Sequence, residues 1–149
     1  MSWELKKFSE LDTHNLYEIL KLRVEVFVVE QNCPYPELDD YDQQALHLYL
    51  KENNVILAYC RILPAGLKYD DCSIGRVIVK EQARGKGHAR VLMQKAIKII
   101  ETSWSVPSIK LCAQSHLQNF YQSVGFQTIS EEFDEDGIPH VYMIRSKKQ

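Results

Sequence analysis

Residues 82–89, Gln-Ala-Arg-Gly-Lys-Gly-His-Ala, set two glycines one residue apart among cations. Gly85 and Gly87 have no Cβ, so backbone N–H groups there can approach a ligand closely. A β-branched stretch precedes the turn and a helical pattern follows it. The first turn of a helix carries unpaired N–H donors and the positive end of the macrodipole. Arg84 and Lys86 add charge. The chemistry this pattern points to is anion binding, with pyrophosphate the usual guest. A P-loop is excluded, because the turn has neither the spacing Gly-x-x-x-x-Gly-Lys-Ser/Thr nor its hydroxyl. A Rossmann fingerprint is excluded too: position 90 is Arg where the third glycine belongs, and no βαβ repeat follows. A turn that merely joins a strand to a helix stays open, since two glycines alone are a weak signal.

Candidates for a base or a nucleophile are less marked. Glu30 and His47 fall in or beside a loop that follows the first helix, and His116 and His140 are further candidates. A lone histidine is more often a hydrogen-bonded structural residue than a base. Cys33 stands between Asn32 and Pro34 with no base or cation nearby in sequence, which favours a structural thiol over a nucleophile. Glu37, Asp39, Asp40 and Asp42 form an acidic run. Its default reading is a solvated loop. The functional alternative is attraction of a cationic acceptor, aided by Tyr35 and Tyr41.

The elements that must position these residues follow from periodicity. Trp3 to Phe8 alternates as a short strand. Asp12 or Thr13 caps a helix whose apolar residues, Leu16, Ile19, Leu20, Val24, Phe27 and Val28, recur at helical spacing. Residues 30–44, with two prolines and no period, read as a loop. Leu46 to Lys51 and Val55 to Leu63 are strands joined at Glu52-Asn53-Asn54. Ser73 to Lys80 is dense in β-branched residues and reads as a central strand. Gly85 to about Glu101 is the second long helix, ended before Pro107. Ile109 to Ala113 is a strand and His116 to Val124 a short helix. Phe126 to Phe133 and His140 to Arg145 form a hairpin across Asp134–Gly137. The order β-α-β-β-β-α-β-α-β-β predicts an α/β (α+β) domain with a mixed sheet.

The pattern Gln82-x-x-Gly85-x-Gly87 after Gly75-Arg76-Val77-Ile78-Val79 resembles the acetyl-CoA-binding motif of the GNAT acetyltransferase superfamily. Phe120-Tyr121-x-x-x-Gly125-Phe126 resembles the helix and turn that follow the family's fifth strand. The stretches LRVEVFVVEQNCPYPELDDYD, CRILP, IGRVIV, AQSHLQNFYQSVGF and EDGIPHVYM are similar to the ElaA-like branch and cover nearly the whole chain. The resemblance implies a GNAT-like mixed, mostly antiparallel sheet flanked by helices, with splayed strands that admit the pantetheine. It implies acetyl-CoA as cosubstrate, bound by Val77, Ile78 and Val79 of the strand and by Gln82, Arg84, Gly85, Lys86, Gly87, His88 and Ala89 of the turn. Gln114 holds the position where many members carry Asn near the pantetheine. The implied reaction is direct attack of an amine, from a small molecule or peptide, in a ternary complex. The Val77 amide polarises the carbonyl, Tyr121 protonates the leaving thiolate, and Glu30 or His47 is the base. A non-catalytic acyl-CoA-binding module is the alternative, and an acid at Tyr121 favours the enzyme.

Bulk properties agree with one domain spanning 1–149. The chain has 149 residues and 45% hydrophobic composition, enough for a core. Its net charge of −2 opposes a nucleic-acid partner. No stretch reaches the ~20 apolar residues of a spanning helix, and the first residues carry no apolar core of signal-peptide length. The four cysteines form no CxxC pair or metal-like cluster with histidine, so we expect free thiols, no metal and a cytoplasmic setting. The end RSKKQ reads as a solvated tail. Exposed terminal hairpin edges make a homodimer an open expectation.

Overall fold

A computed structural model describes residues 1–105 and 108–146. Pro107, the expected breaker, and residues 147–149 of the expected tail lie outside them. One sheet contains eight strands: β1 (Ser2–Lys7), β2 (Leu46–Glu52), β3 (Val55–Leu63), β4 (Cys72–Val79), β5 (Ser108–Gln114), β6 (Gln127–Thr128), β7 (Phe133–Glu135) and β8 (Ile138–Ser146). Its order is β1-β2-β3-β4-β5-β8-β6, with β7 also on β8. All pairings are antiparallel except β4 with β5. The helices are α1 (Thr13–Val24), α2 (His88–Ser103) and α3 (Gln118–Ser123).

Alternation along the strands sends side chains to opposite faces. Leu48, Cys60 and Ile62 face Leu92, Met93, Ala96, Ile97 and Ile100 of α2. Tyr49 and Tyr59, one residue out of phase, face Ile19 and Leu22 of α1. Each helix thus covers one face. Leu92 and Ile100 are fully buried, and burying each contributes about 2 kcal/mol.

Several expected boundaries shift, each for a local reason. The first helix does not stop at Val28 but runs on as a π-helical turn to Glu30, ahead of Asn32 at φ 49°. The second helix starts at His88 and not at Gly85, because Gly85 and Gly87 both sit at positive φ, outside helical space. The expected strand Phe126 to Phe133 is two short strands, β6 and β7. Between them the Ser130 hydroxyl accepts the Tyr142 amide at 2.9 Å, in place of a backbone carbonyl. The Asn53-Asn54 turn has both residues at positive φ, as a two-residue hairpin requires.

Two irregularities open the sheet. Opposite Cys60, β4 holds two residues, Arg76 and Val77, between the pairs Arg61–Gly75 and Tyr59–Ile78. This is a β-bulge, with Arg76 at φ 50°. The parallel pairing of β4 with β5 covers only Cys72–Ile109 and Ser73–Lys110. Beyond it the strands part, and the ends of β4 and β5 become walls of a cleft.

Candidate active site

The cleft has a volume of about 600 Å³. Val77, Ile78 and Val79 form one wall, and Gln114, Leu117, Phe120 and Tyr121 form the other. Arg84, Gly85, Gly87, His88 and Ala89 close one end. Gly85 is at φ 81° and Gly87 at φ 83°, and a Cβ on either would meet nothing within 4 Å. The glycines therefore serve backbone conformation and leave open space over the turn. No side chain caps α2, whose N-cap is Gly87. Its first amides are left to whatever occupies the cleft. The fit to an anionic nucleotide end rests on this open cradle.

Gln82 and Lys86, expected here, are exposed and do not line the cleft. Arg84 does, and its guanidinium is already engaged: Nε donates to the Val79 carbonyl at 2.9 Å, and Nη2 meets Glu30 at 3.0 Å. Arg90, unremarked in the sequence except as a missing glycine, also lines the cleft and donates to Ser123 Oγ at 3.0 Å.

A second cavity of about 330 Å³ adjoins the cleft. The two share Phe27, Gln31, Val77, Gln114, Leu117 and Tyr121. Tyr121 is held there by local structure. The amide of Phe126 donates to the Tyr121 carbonyl and that of Gly125 to Gln122, closing α3 with a left-handed glycine at φ 100°. A Cβ at position 125 would come within 2.8 Å of Arg145 Nε. The Tyr121 ring packs edge-on against Phe120 and Phe126. Burial pushes its phenol above the ordinary range, so it keeps its proton.

The expected bases need correction. His47 lines neither cavity and is 1% exposed. Its Nδ1 pairs with the Tyr59 hydroxyl at 2.7 Å and its Nε2 with the Asp42 carbonyl at 2.9 Å. Burial lowers its pKa against the opposing pull of Asp42. It is a satisfied interior histidine. Glu30 lies beside the glycine turn, paired with Arg84, and is absent from the second cavity. His116 lines the first cleft alone. His140 lines the second cavity with Glu135, from the hairpin that the sequence marks only as a turn.

The acidic run is neither a solvated loop nor a lure for cations. Arg23, fully buried, donates to Glu37 at 2.8 Å and Asp42 at 2.7 Å. Arg61 pairs with both oxygens of Asp39, at 2.7 and 2.8 Å, and with Asp42. Arg76, on the bulge, reaches Glu37 at 2.5 Å and Asp39 at 3.3 Å. Three carboxylates thus meet three guanidiniums, and Asp40 alone of the run is exposed. Burial pushes the Asp39 carboxyl up, but hydrogen bonds from Arg61 and the charges of Arg61 and Arg76 outweigh it and leave it at about 2, down from 3.8. Asp42 is lowered the same way by Arg23 and Arg61. A depressed carboxylate adds stability that is full above its unfolded pKa and is lost as pH falls through the folded one. Thermal melting points should therefore hold steady above pH ~4 and drop between pH ~4 and ~2; an unchanged melting point across that window would contradict the network.

All four cysteines are free thiols. Cys33 donates to the Asp136 carbonyl at 3.1 Å, tying the loop after α1 to the tip of the β7–β8 hairpin. Cys112, Glu135 and His140 bring donor atoms within 4.8 Å of one another. Burial, then the Glu135 charge, pushes the Cys112 thiol up to about 12. It stands as a hydrogen-bond donor to Glu135 at 3.4 Å. No helix among the described residues is long and apolar enough to cross a membrane.

A splayed mixed sheet, a glycine turn heading a helix at the opening and a tyrosine facing that turn across the cleft define an acyl-CoA-dependent acyltransferase architecture. Residues 12–147 match the acetyltransferase (GNAT) domain, and the chain belongs to that family, whose members use acyl-CoA to acylate amines. Its relatives include ElaA of Escherichia coli K12, 43% identical over 147 residues that span 97% of this chain and 96% of that protein. The crystal structure of E. coli ElaA superposes with a TM-score of 0.92 at 42% identity, over 98% of this chain and 100% of that one. An acyl-CoA N-acyltransferase from Pseudomonas aeruginosa gives 0.93 at 38% identity, over the same shares.

Proposed function

We propose that the chain transfers an acetyl group from acetyl-CoA to an amine by direct attack within a ternary complex. The observation that carries this reading is the meeting of two cavities at Val77, Gln114 and Tyr121, one leading to the glycine turn and the other open to a second substrate. Acetyl-CoA supplies the acetyl group as an activated thioester. The amides of Gly85, Gly87, His88 and Ala89 face its diphosphate, with Arg84 released from Glu30 as the charge partner. The bulge at Arg76 interrupts the ladder beside Val77, and the Val77 amide is our candidate donor to the carbonyl oxygen where negative charge develops. Tyr121 donates to the departing sulfur. A single domain over 1–149 supplies every one of these groups.

Calorimetry tests the cosubstrate. Wild type should bind acetyl-CoA and neither ATP nor NADH. Gly85→Glu places a carboxylate over the turn, in open space at a strained φ that costs about 1 kcal/mol. It should weaken acetyl-CoA binding at least ~10-fold, since like charge replaces an anion site. Equal binding by both proteins would reject the turn as the diphosphate site.

A further inference from the structure

We propose that the second cavity is the acceptor site for a small primary amine and that His140, oriented by the Ile138 carbonyl, is its general base. The inference rests on the acetyl-transfer reading above and deepens it. His140 lies in β8 directly opposite Gln114 of β5, a residue common to both cavities. Cys112 pairs with Tyr142, so Cys112 and His140 are diagonal neighbours across that ladder. β7 folds over from the other edge, with Phe133 opposite His140 and its ring stacked on the imidazole at 6.3 Å. The imidazole is thereby held between two strands at the cavity wall, 13% exposed at its side chain.

Its proton is also placed. Nδ1 lies 2.7 Å from the Ile138 carbonyl, which can only accept, so Nδ1 carries the hydrogen. Nε2 then keeps its lone pair and lies 3.8 Å from Glu135 Oε2. This is the arrangement of a base: one nitrogen anchored by an acceptor, the other free, with a carboxylate to stabilise the imidazolium. His47 shows the contrast, with both nitrogens consumed and no opening to a cavity.

An amine arrives as an ammonium, and Glu135 and Asp136 on the hairpin offer it negative charge. The other charged side chains around the cavity are Lys68, Arg61 and Arg76, the last two tied to Asp39. Cys33, Tyr35, Tyr41, Tyr69, Cys112 and Tyr121 are the remaining titratable groups that line the cavity. Nε2 takes one proton from the ammonium and passes it to solvent. The amine lone pair then forms the N–C bond as the C–S bond breaks. The sulfur takes the Tyr121 proton, and the proton lost by the new amide nitrogen, carried through Nε2, restores it. The balance is ammonium plus thioester to amide, thiol and one proton. A volume of about 330 Å³ limits the acceptor to a small molecule or a single inserted side chain.

The test uses the full chain with acetyl-CoA and a set of primary amines: the common amino acids, putrescine, spermidine and a lysine-bearing tetrapeptide. Acetyl-CoA affinity is measured first for wild type, His140→Gln and Glu135→Gln, and should be equal, because neither residue lines the first cleft. Thiol release with the best amine should fall about 100-fold in His140→Gln near neutral pH. That deficit should shrink as pH rises and the amine loses its own proton. The limb of kcat/KM in the histidine range should vanish in His140→Gln. A purely structural His140 would not move the limb. No acetyl-CoA binding would overturn the cosubstrate reading. Tight binding without turnover of any amine would overturn transfer and, with it, the acceptor site. Turnover with an unchanged limb in His140→Gln would overturn the base alone.

Discussion

Glu37→Gln should lower the free energy of unfolding by about 3–5 kcal/mol, the usual cost of removing one partner from a buried ion pair. Glu37 is 5% exposed and bonds Arg23, Arg76 and the Tyr35 hydroxyl at once. Its loss leaves Arg23 fully buried with Asp42 alone. The amide can still accept one bond, but it cannot balance two guanidiniums. The damage should reach the site as well. Arg76 adopts φ 50° in the bulge beside Val77, a conformation costing of order 1 kcal/mol that persists where its surroundings enforce it. Glu37 enforces it through Nε and through its own carbonyl, which accepts Nη2 at 3.2 Å. Chemical denaturation of Glu37→Gln and Asp40→Asn makes the comparison, since Asp40 belongs to the same acidic run but is exposed. Asp40→Asn should stay within about 0.5 kcal/mol of wild type. Equal, small effects at both positions would mean that the run is solvated after all.

That contrast marks where local sequence stops informing. Strands, helices and the glycine turn were readable because each is set by neighbours: β-branched residues in β4, helical spacing in α2, two glycines where only positive φ fits. The bulge left no such mark, since Arg76 is an ordinary residue held in a rare conformation by Glu37, far away in the chain. The acidic run misled for the same reason. Its partners Arg23, Arg61 and Arg76 come from α1, β3 and β4, and nothing within residues 37–42 reveals them. The ranking of histidines failed on burial. His47 and His140 are alike as letters. Only the register of β2 on β3 seals one against Tyr59, and only the pairing of β5, β8 and β7 turns the other to a cavity. The turn Asp134–Gly137 was legible as a turn, while the carboxylate it delivers to His140 was not.

Tyr121→Phe should reduce kcat by about 100-fold or more, within the range of a lost general acid, and leave acetyl-CoA affinity within about threefold. The substitution deletes one oxygen. The ring contacts with Phe120 and Phe126 survive, and so do the two backbone bonds that close α3. Among the described residues no side chain pairs with the phenol, so its removal strands no buried partner and the melting point should not move. The phenol's proton is secured by burial, which raises its pKa above 10. The acid form therefore persists through the whole assay range, and the wild-type profile should show no falling limb from this group below pH ~10. A departing thiolate, with an ordinary pKa near ~8.5, becomes basic enough to draw a hydrogen bond only as the C–S bond breaks. The interaction is thus made in the transition state and not in the ground state, which is why kcat and not affinity should carry the loss. Wild-type kcat in Tyr121→Phe would assign sulfur protonation to water in the cleft and reduce Tyr121 to a packed ring.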